Sequence, residues 1–67
     1  MKFTDKQDRH IETRAGRDIR DTEDDFYIVI LYINDKFIDY REILDCTHEN
    51  ISEAENELFK EHGIEMW

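Results

Sequence analysis

The chain has 67 residues, a net charge of −9 and no proline, and 40% of its residues are charged. A chain of this length makes one domain at most and buries only about 60% of its unfolded surface, so we expect modest stability. It is too short to build both a core and an enclosed pocket, which argues against an enzyme and against a bound cofactor or metal.

The charge is distributed unevenly along the chain. Residues 1–22 hold six basic and five acidic side chains, whereas residues 23–67 hold three basic and thirteen acidic ones. Phosphates would repel so acidic a region, so direct binding to nucleic acid is not expected. An acidic domain suits a protein partner with a basic surface, although acidity can also serve solubility alone.

The single cysteine, Cys46, rules out an internal disulfide. The sequence shows no signal peptide and no apolar segment long enough to cross a membrane. These features together predict a cytoplasmic protein.

Residues 1–25 form a polar leader with three possible structures. Thr4 followed by Gln7 fits a capping box, which predicts a weak helix that Gly16 could end. The alternatives are disorder and a short edge strand over residues 10–14. Residues 17–25 are typical of a charged linker.

Residues 26–33, Phe-Tyr-Ile-Val-Ile-Leu-Tyr-Ile, form the only run that could nucleate a core. Their β-branching and length favour a strand that is apolar on both faces. Asn34 and Asp35 follow, and both tolerate the left-handed conformation of a hairpin turn. The pattern therefore predicts a hairpin with a second strand over residues 36–44.

Alternation along the two strands predicts which side chains share a face. The predicted core face carries Tyr27, Val29, Leu31, Ile33, Ile38, Tyr40 and Leu44, together with Glu42. The predicted second face carries Phe26, Ile28, Ile30, Tyr32, Phe37, Asp39, Arg41 and Ile43.

A C-terminal helix over about residues 53–62 should cover the core face, and its start could lie a few residues earlier. Ser52 with Glu55 fits a capping box, and Gly63 stands where a helix commonly ends. Ile64 after it can fold back on Phe59. Residues 64–67 alternate and could form a short third strand or a tail, so the predicted fold class is α+β with one domain over residues 26–67.

Glutamates recur every four residues along this helix, and we call them the acidic row. They are Glu49, Glu53, Glu57 and Glu61. Residues four apart are separated by about 6 Å along the helix axis, and like charges at this spacing repel each other. Such a row could imitate nucleic-acid phosphates against a basic groove, or it could simply be a solvated helix face.

The second sheet face is the other candidate binding surface. It is more apolar than a free surface usually is, which predicts a cover from the leader or from another chain, including a homodimer. Asp24 and Asp25 could add charge to a partner site. Phe26, Tyr32 and Phe37 could add aromatic anchors, and Trp67 is either an anchor or a lid on the sheet.

Motifs for chemistry are missing from the sequence. Cys46 and His48 form a lone metal-capable pair with no second pair at zinc spacing. No nucleophile elbow, phosphate loop or HExxH motif is present.

The order of a hairpin, a polar loop and a helix opened by Ser52-x-x-Glu55 resembles the half-domain of HicB-type antitoxins. The brevity and acidity also resemble small phage-encoded inhibitors of host enzymes and anti-CRISPR proteins. The leading hypothesis is an acidic inhibitor of a basic nucleic-acid-handling protein. The alternative is an antitoxin-like regulatory or structural subunit that assembles through its apolar sheet face.

Overall fold

The computed structural model describes residues 1–17 and 27–65. The elements are β1 (Lys2–Thr4), β2 (His10–Arg17), β3 (Tyr27–Ile33), β4 (Lys36–Ile43) and α1 (His48–Glu61). The four strands form one antiparallel sheet in the order β1-β2-β3-β4, and α1 packs against β3 and β4. The predicted α+β class, the hairpin and its C-terminal helix are therefore confirmed. No helix of the described residues is long and apolar enough to cross a membrane.

The predicted N-terminal helix is wrong, because residues 2–4 and 10–17 are strands. β2 pairs with β3 from Ile11 opposite Ile33 to Arg17 opposite Tyr27. β3 is apolar on both faces and is paired along both of its edges. Of the three alternatives for the leader, the strand over residues 10–14 is the one observed, although it lies inside the sheet and not at its edge.

The segment expected to cap that helix instead forms the β1–β2 turn. The Asp5 carboxylate accepts hydrogen bonds from the backbone N–H groups of Gln7 (3.0 Å) and Arg9 (2.8 Å). Asp8 has a positive φ of 59° in this turn. Short polar side chains make such local bonds readily, which is why Asp and Asn favour turns.

The β3–β4 turn lies at Asn34 and Asp35, as predicted, with φ values of 52° and 65°. Both residues are left-handed, as a two-residue hairpin turn requires. Asn34 also ties this turn to β2, because its side-chain oxygen accepts from the His10 backbone N–H at 3.0 Å.

The predicted facing of β4 is confirmed for Phe37 but is wrong from Asp39 onward, because the strand contains a bulge. Tyr32 lies opposite Phe37, but Leu31 lies opposite Asp39, so Ile38 is an extra residue. One extra residue moves every later side chain to the opposite face. Asp39, Arg41 and Ile43 therefore share the face of Val29 and Leu31, and Tyr40 and Glu42 share the face of Ile28 and Ile30.

The core lies between the sheet and α1. Its buried residues are Ile11, Val29, Leu31, Ala54, Leu58, Phe59 and Ile64. Phe3 packs at its edge, with its ring 5.4 Å from that of Phe59 in a T-shaped arrangement. Val29 and Leu31 lie on the predicted core face, so this part of the facing is confirmed.

The helix begins at His48, within the earlier start that the sequence left open, and Thr47 is its N-cap. The Thr47 hydroxyl accepts from the Asn50 backbone N–H at 3.2 Å, so Ser52 and Glu55 do not form a capping box. The predicted ending is confirmed: Ile64 donates its backbone N–H to the Phe59 carbonyl at 2.8 Å beyond a left-handed Gly63. Ile64 and Glu65 lie outside any strand, and the rest of the third-strand prediction lies outside the described residues.

Candidate protein-binding groove

The structure places the predicted site residues in two groups. All four side chains of the acidic row are exposed along α1. Tyr32 and Phe37 lie on the other face of the sheet, where their rings pack edge to face at 6.4 Å. Asp24, Asp25, Phe26 and Trp67 lie outside the described residues.

Arg41 compensates half of the acidic row. Its guanidinium contacts Glu61 through Nη2 and lies 3.6 Å from the Glu57 carboxylate through Nε. The hydrogen bond to Glu61 raises the pKa of Arg41 above its already high ordinary value, and the nearby carboxylates add to this effect. The bulge at Ile38 makes the contact possible, because it turns Arg41 toward the helix. The acidic row therefore does not present four free charges.

A hydrogen bond between His62 and Asp39 closes the same end of the helix. His62 Nε2 lies 3.0 Å from Asp39 Oδ2, and the Tyr40 backbone N–H donates to Asp39 Oδ1 at 2.7 Å. The bond to His62, followed by the bond from Tyr40, lowers the pKa of Asp39 below its ordinary value. Polar contacts from Arg41 and Asp39, as well as apolar packing, therefore hold α1 against β4.

Within residues 1–17 and 27–65, Asp39, Glu61 and His62 form the group that could hold a metal ion. One ligand atom from each lies within 4.8 Å of the other two. However, Arg41 pairs with both carboxylates, at 3.7 Å from Asp39. A cation would therefore have to displace a guanidinium that already balances these charges, so the arrangement favours an ion-pair cluster.

Beyond Arg41, an open groove of about 230 Å³ runs between the end of β4 and the first half of α1. We call it the β4–α1 groove. It is lined by Arg41, Glu42, Ile43, Leu44, Asn50, Glu53, Ala54 and Glu57.

This groove combines apolar walls with a free carboxylate. Ile43 and Ala54 form part of its wall, and Leu44 is 85% exposed at its mouth. Within the described residues, Glu53 makes no ion pair, unlike Glu57. A lysine or arginine side chain has the matching chemistry, because its aliphatic stem packs on apolar surface while its head meets a carboxylate.

At the outer edge of β4, neighbouring side chains bind both backbone groups of Tyr40. Asp39 accepts from the Tyr40 backbone N–H, and Arg41 Nη1 donates to the Tyr40 carbonyl at 3.1 Å. At this residue, side chains therefore occupy the backbone groups through which a partner strand would pair.

Comparison with protein families, characterised proteins and solved structures finds no significant match. The site is therefore interpreted from its own geometry. The resemblance to HicB-type antitoxins depended on Ser52 at the start of the helix. The structure has Thr47 there as the N-cap, so this motif does not support the resemblance.

Sequence reasoning missed Leu44 as a site residue. It assigned Leu44 to the core face, whereas this residue is 85% exposed. One signal was available: Arg41 lies in a strand that packs on a helix carrying Glu57 and Glu61 four residues apart. Pairing these charges requires the facing that the bulge provides.

Proposed function

We propose that this chain is a small non-enzymatic module that binds a basic protein surface in the β4–α1 groove. One observation carries the proposal: Glu53 lies beside the exposed Leu44 in this groove without an ion-pair partner among the described residues. An apolar anchor beside a free carboxylate fits an exposed lysine or arginine next to an apolar side chain.

The net charge supports the same kind of partner. At −9 the field of the chain steers a basic protein toward it and accelerates association. Proteins that handle nucleic acid carry such basic surfaces. Occupying that surface would exclude nucleic acid, so the chain would act as an inhibitor, as do the small phage-encoded inhibitors and anti-CRISPR proteins that it resembles in size and charge.

Charge alone would give weak binding. An exposed ion pair contributes about 0.2–1 kcal/mol, whereas burial of a leucine side chain contributes about 1.5–3 kcal/mol. Leu44 is therefore expected to supply more affinity than any single glutamate, and the glutamates to supply selectivity and association rate. Because Arg41 pairs with Glu57 and Glu61, only Glu49 and Glu53 of the acidic row could imitate phosphates.

The test is affinity capture from the native host, followed by binding measurements on the purified target by calorimetry. Affinity should fall steeply between about 50 and 300 mM salt, where exposed charges become screened. Glu53→Gln should weaken binding, whereas Asp35→Asn, which removes one negative charge at the distant β3–β4 turn, should not. Binding that is insensitive to salt and to Glu53→Gln would rule out the groove mechanism.

A regulatory or structural subunit that assembles through the other sheet face is the second candidate function. The observation that favours it is the aromatic cluster there, in which the Phe37 side chain is 58% exposed. Leu44→Ser separates the two candidates, because it alters the groove and leaves that face unchanged.

A further inference from the structure

On the sheet face opposite α1, which we call the open face, Phe37 is 58% exposed, whereas Ile28 is buried. α1 packs on the face of Val29 and Leu31. The register places five side chains from β3 and β4 on the open face, and these form its apolar half. They are Ile28, Ile30, Tyr32, Phe37 and Tyr40.

The rings of the open face already form a connected cluster. Phe37 lies 6.4 Å from both Tyr32 and Tyr40, measured between ring centroids. The Arg14 guanidinium lies 5.2 Å above the Tyr32 ring. Such preordered rings lose little side-chain freedom when another surface covers them.

The charge of the open face differs from that of the whole chain. By register it carries Lys2 and Arg14 against Glu12 and Glu42, so its charges balance, whereas the chain carries −9. Glu12 is already paired with Arg14 and with Lys2, the latter at 3.7 Å. A highly basic partner therefore gains little electrostatic attraction at the open face. A second copy of the chain, which is itself acidic, meets the least charge repulsion there.

From these observations we infer that two copies of the chain associate through their open faces. Two sheets would then pack face to face in a two-fold sandwich, with both helices outside. The β4–α1 groove of each copy would be left accessible, so this inference does not depend on the proposed function.

The size of the face sets the strength of the dimer. Strands of three to eight residues at about 3.3 Å per residue, spaced about 4.8 Å apart, give roughly 400 Å² per copy. Two copies bury roughly 800 Å², which is below the roughly 1,200–2,000 Å² typical of stable complexes. The dimer should therefore be reversible and visible at micromolar to high-micromolar concentration.

The test is analytical ultracentrifugation of the full chain from about 1 to 300 µM. The weight-average mass of the wild type should rise from 8.2 kDa toward twice that value. Phe37→Ser should weaken association at least tenfold, and circular dichroism should show an unchanged fold because this side chain is largely exposed. Ile30→Asp, at the centre of the face, should abolish association.

Leu44→Ser is the matched control, since it also removes an exposed apolar side chain, but from the groove. It should leave the dimer unchanged while weakening binding to the basic target. Isotope-filtered NOEs between labelled and unlabelled copies should connect Ile30 with aromatic rings of the other copy. A monomer at every concentration, a dimer that tolerates Phe37→Ser, or one that is lost with Leu44→Ser would each overturn the inference.

Discussion

The carboxylate of Asp5 is held by both the backbone and the side chain of Arg9. It is fully buried and accepts from the Arg9 backbone N–H at 2.8 Å and from Nε at 2.8 Å, with Nη2 at 2.7 Å. The same guanidinium donates to the Gly63 carbonyl at 3.3 Å. One pair of residues therefore closes the β1–β2 turn and ties it to the end of α1.

This pair predicts a loss of stability in acid. Burial alone would raise the pKa of Asp5, but the hydrogen bonds from Arg9 and Gln7 outweigh it and hold the pKa below the ordinary 3.8. A carboxyl group with a lowered pKa stabilises the fold above its unfolded-state pKa. That contribution is lost as pH falls below about 3.8 toward the folded-state value.

Urea denaturation at pH 7 and at about pH 3 checks this expectation. Asp5→Asn should lower stability at pH 7 and flatten its dependence on pH between about 5 and 2. Glu12→Gln is a comparison at an ion pair whose arginine, Arg14, is exposed, and screening there makes the effect smaller. An Asp5→Asn profile parallel to that of the wild type would contradict the role assigned to Asp5.

Glu55 is buried, and the Thr13 hydroxyl donates a hydrogen bond to its carboxylate. Thr13→Val keeps the shape of the side chain but removes that donor. We expect a loss of about 1–3 kcal/mol in the free energy of unfolding, because a buried acceptor is left unsatisfied. Chemical denaturation measures this loss.

Two variants control that measurement. Thr4→Val makes the same change at an exposed strand position and should alter stability by less than about 0.5 kcal/mol. Adding Glu55→Met to Thr13→Val should recover much of the loss, since both polar groups are then gone. No recovery in the double variant would show that Glu55 contributes in some other way.

Arg41→Gln should release Glu57, Glu61 and Asp39 from their shared cation. We expect a lower Tm, with a larger decrease at low salt, because the freed carboxylates repel one another. Association with a basic target should become faster, since the net charge grows more negative. Lys36→Gln removes one positive charge from an exposed position outside these contacts, and a matching Tm decrease there would indicate only a net-charge effect.

Gly63→Ala tests the helix ending. Gly63 has a φ of 64°, a conformation that costs a residue with a Cβ about 1–2 kcal/mol. Thermal denaturation should show this loss. Gly16→Ala is the control, because a Cβ there meets nothing within 4 Å and the strand is extended, so its stability should be equal or slightly higher.

The sequence by itself determined the features that depend on neighbouring residues. The apolar run ending at Ile33, the turn at Asn34 and Asp35, and the helix end at Gly63 each follow from local conformational preferences. Those preferences act over a few residues and need no distant partner. They were enough to predict the fold class.

Only the tertiary structure decided what the N-terminal residues do and which way β4 faces. β2 becomes a strand because it pairs with β3, and no local signal for that pairing is stronger than the weak helix pattern. A single extra residue at Ile38 reversed the faces of β4 and brought Arg41 to the acidic row. Side chains alternate between the two faces of a sheet, so a register shift of one residue reverses the face of each side chain. Packing across the core sets the register, and the register determines which charges meet.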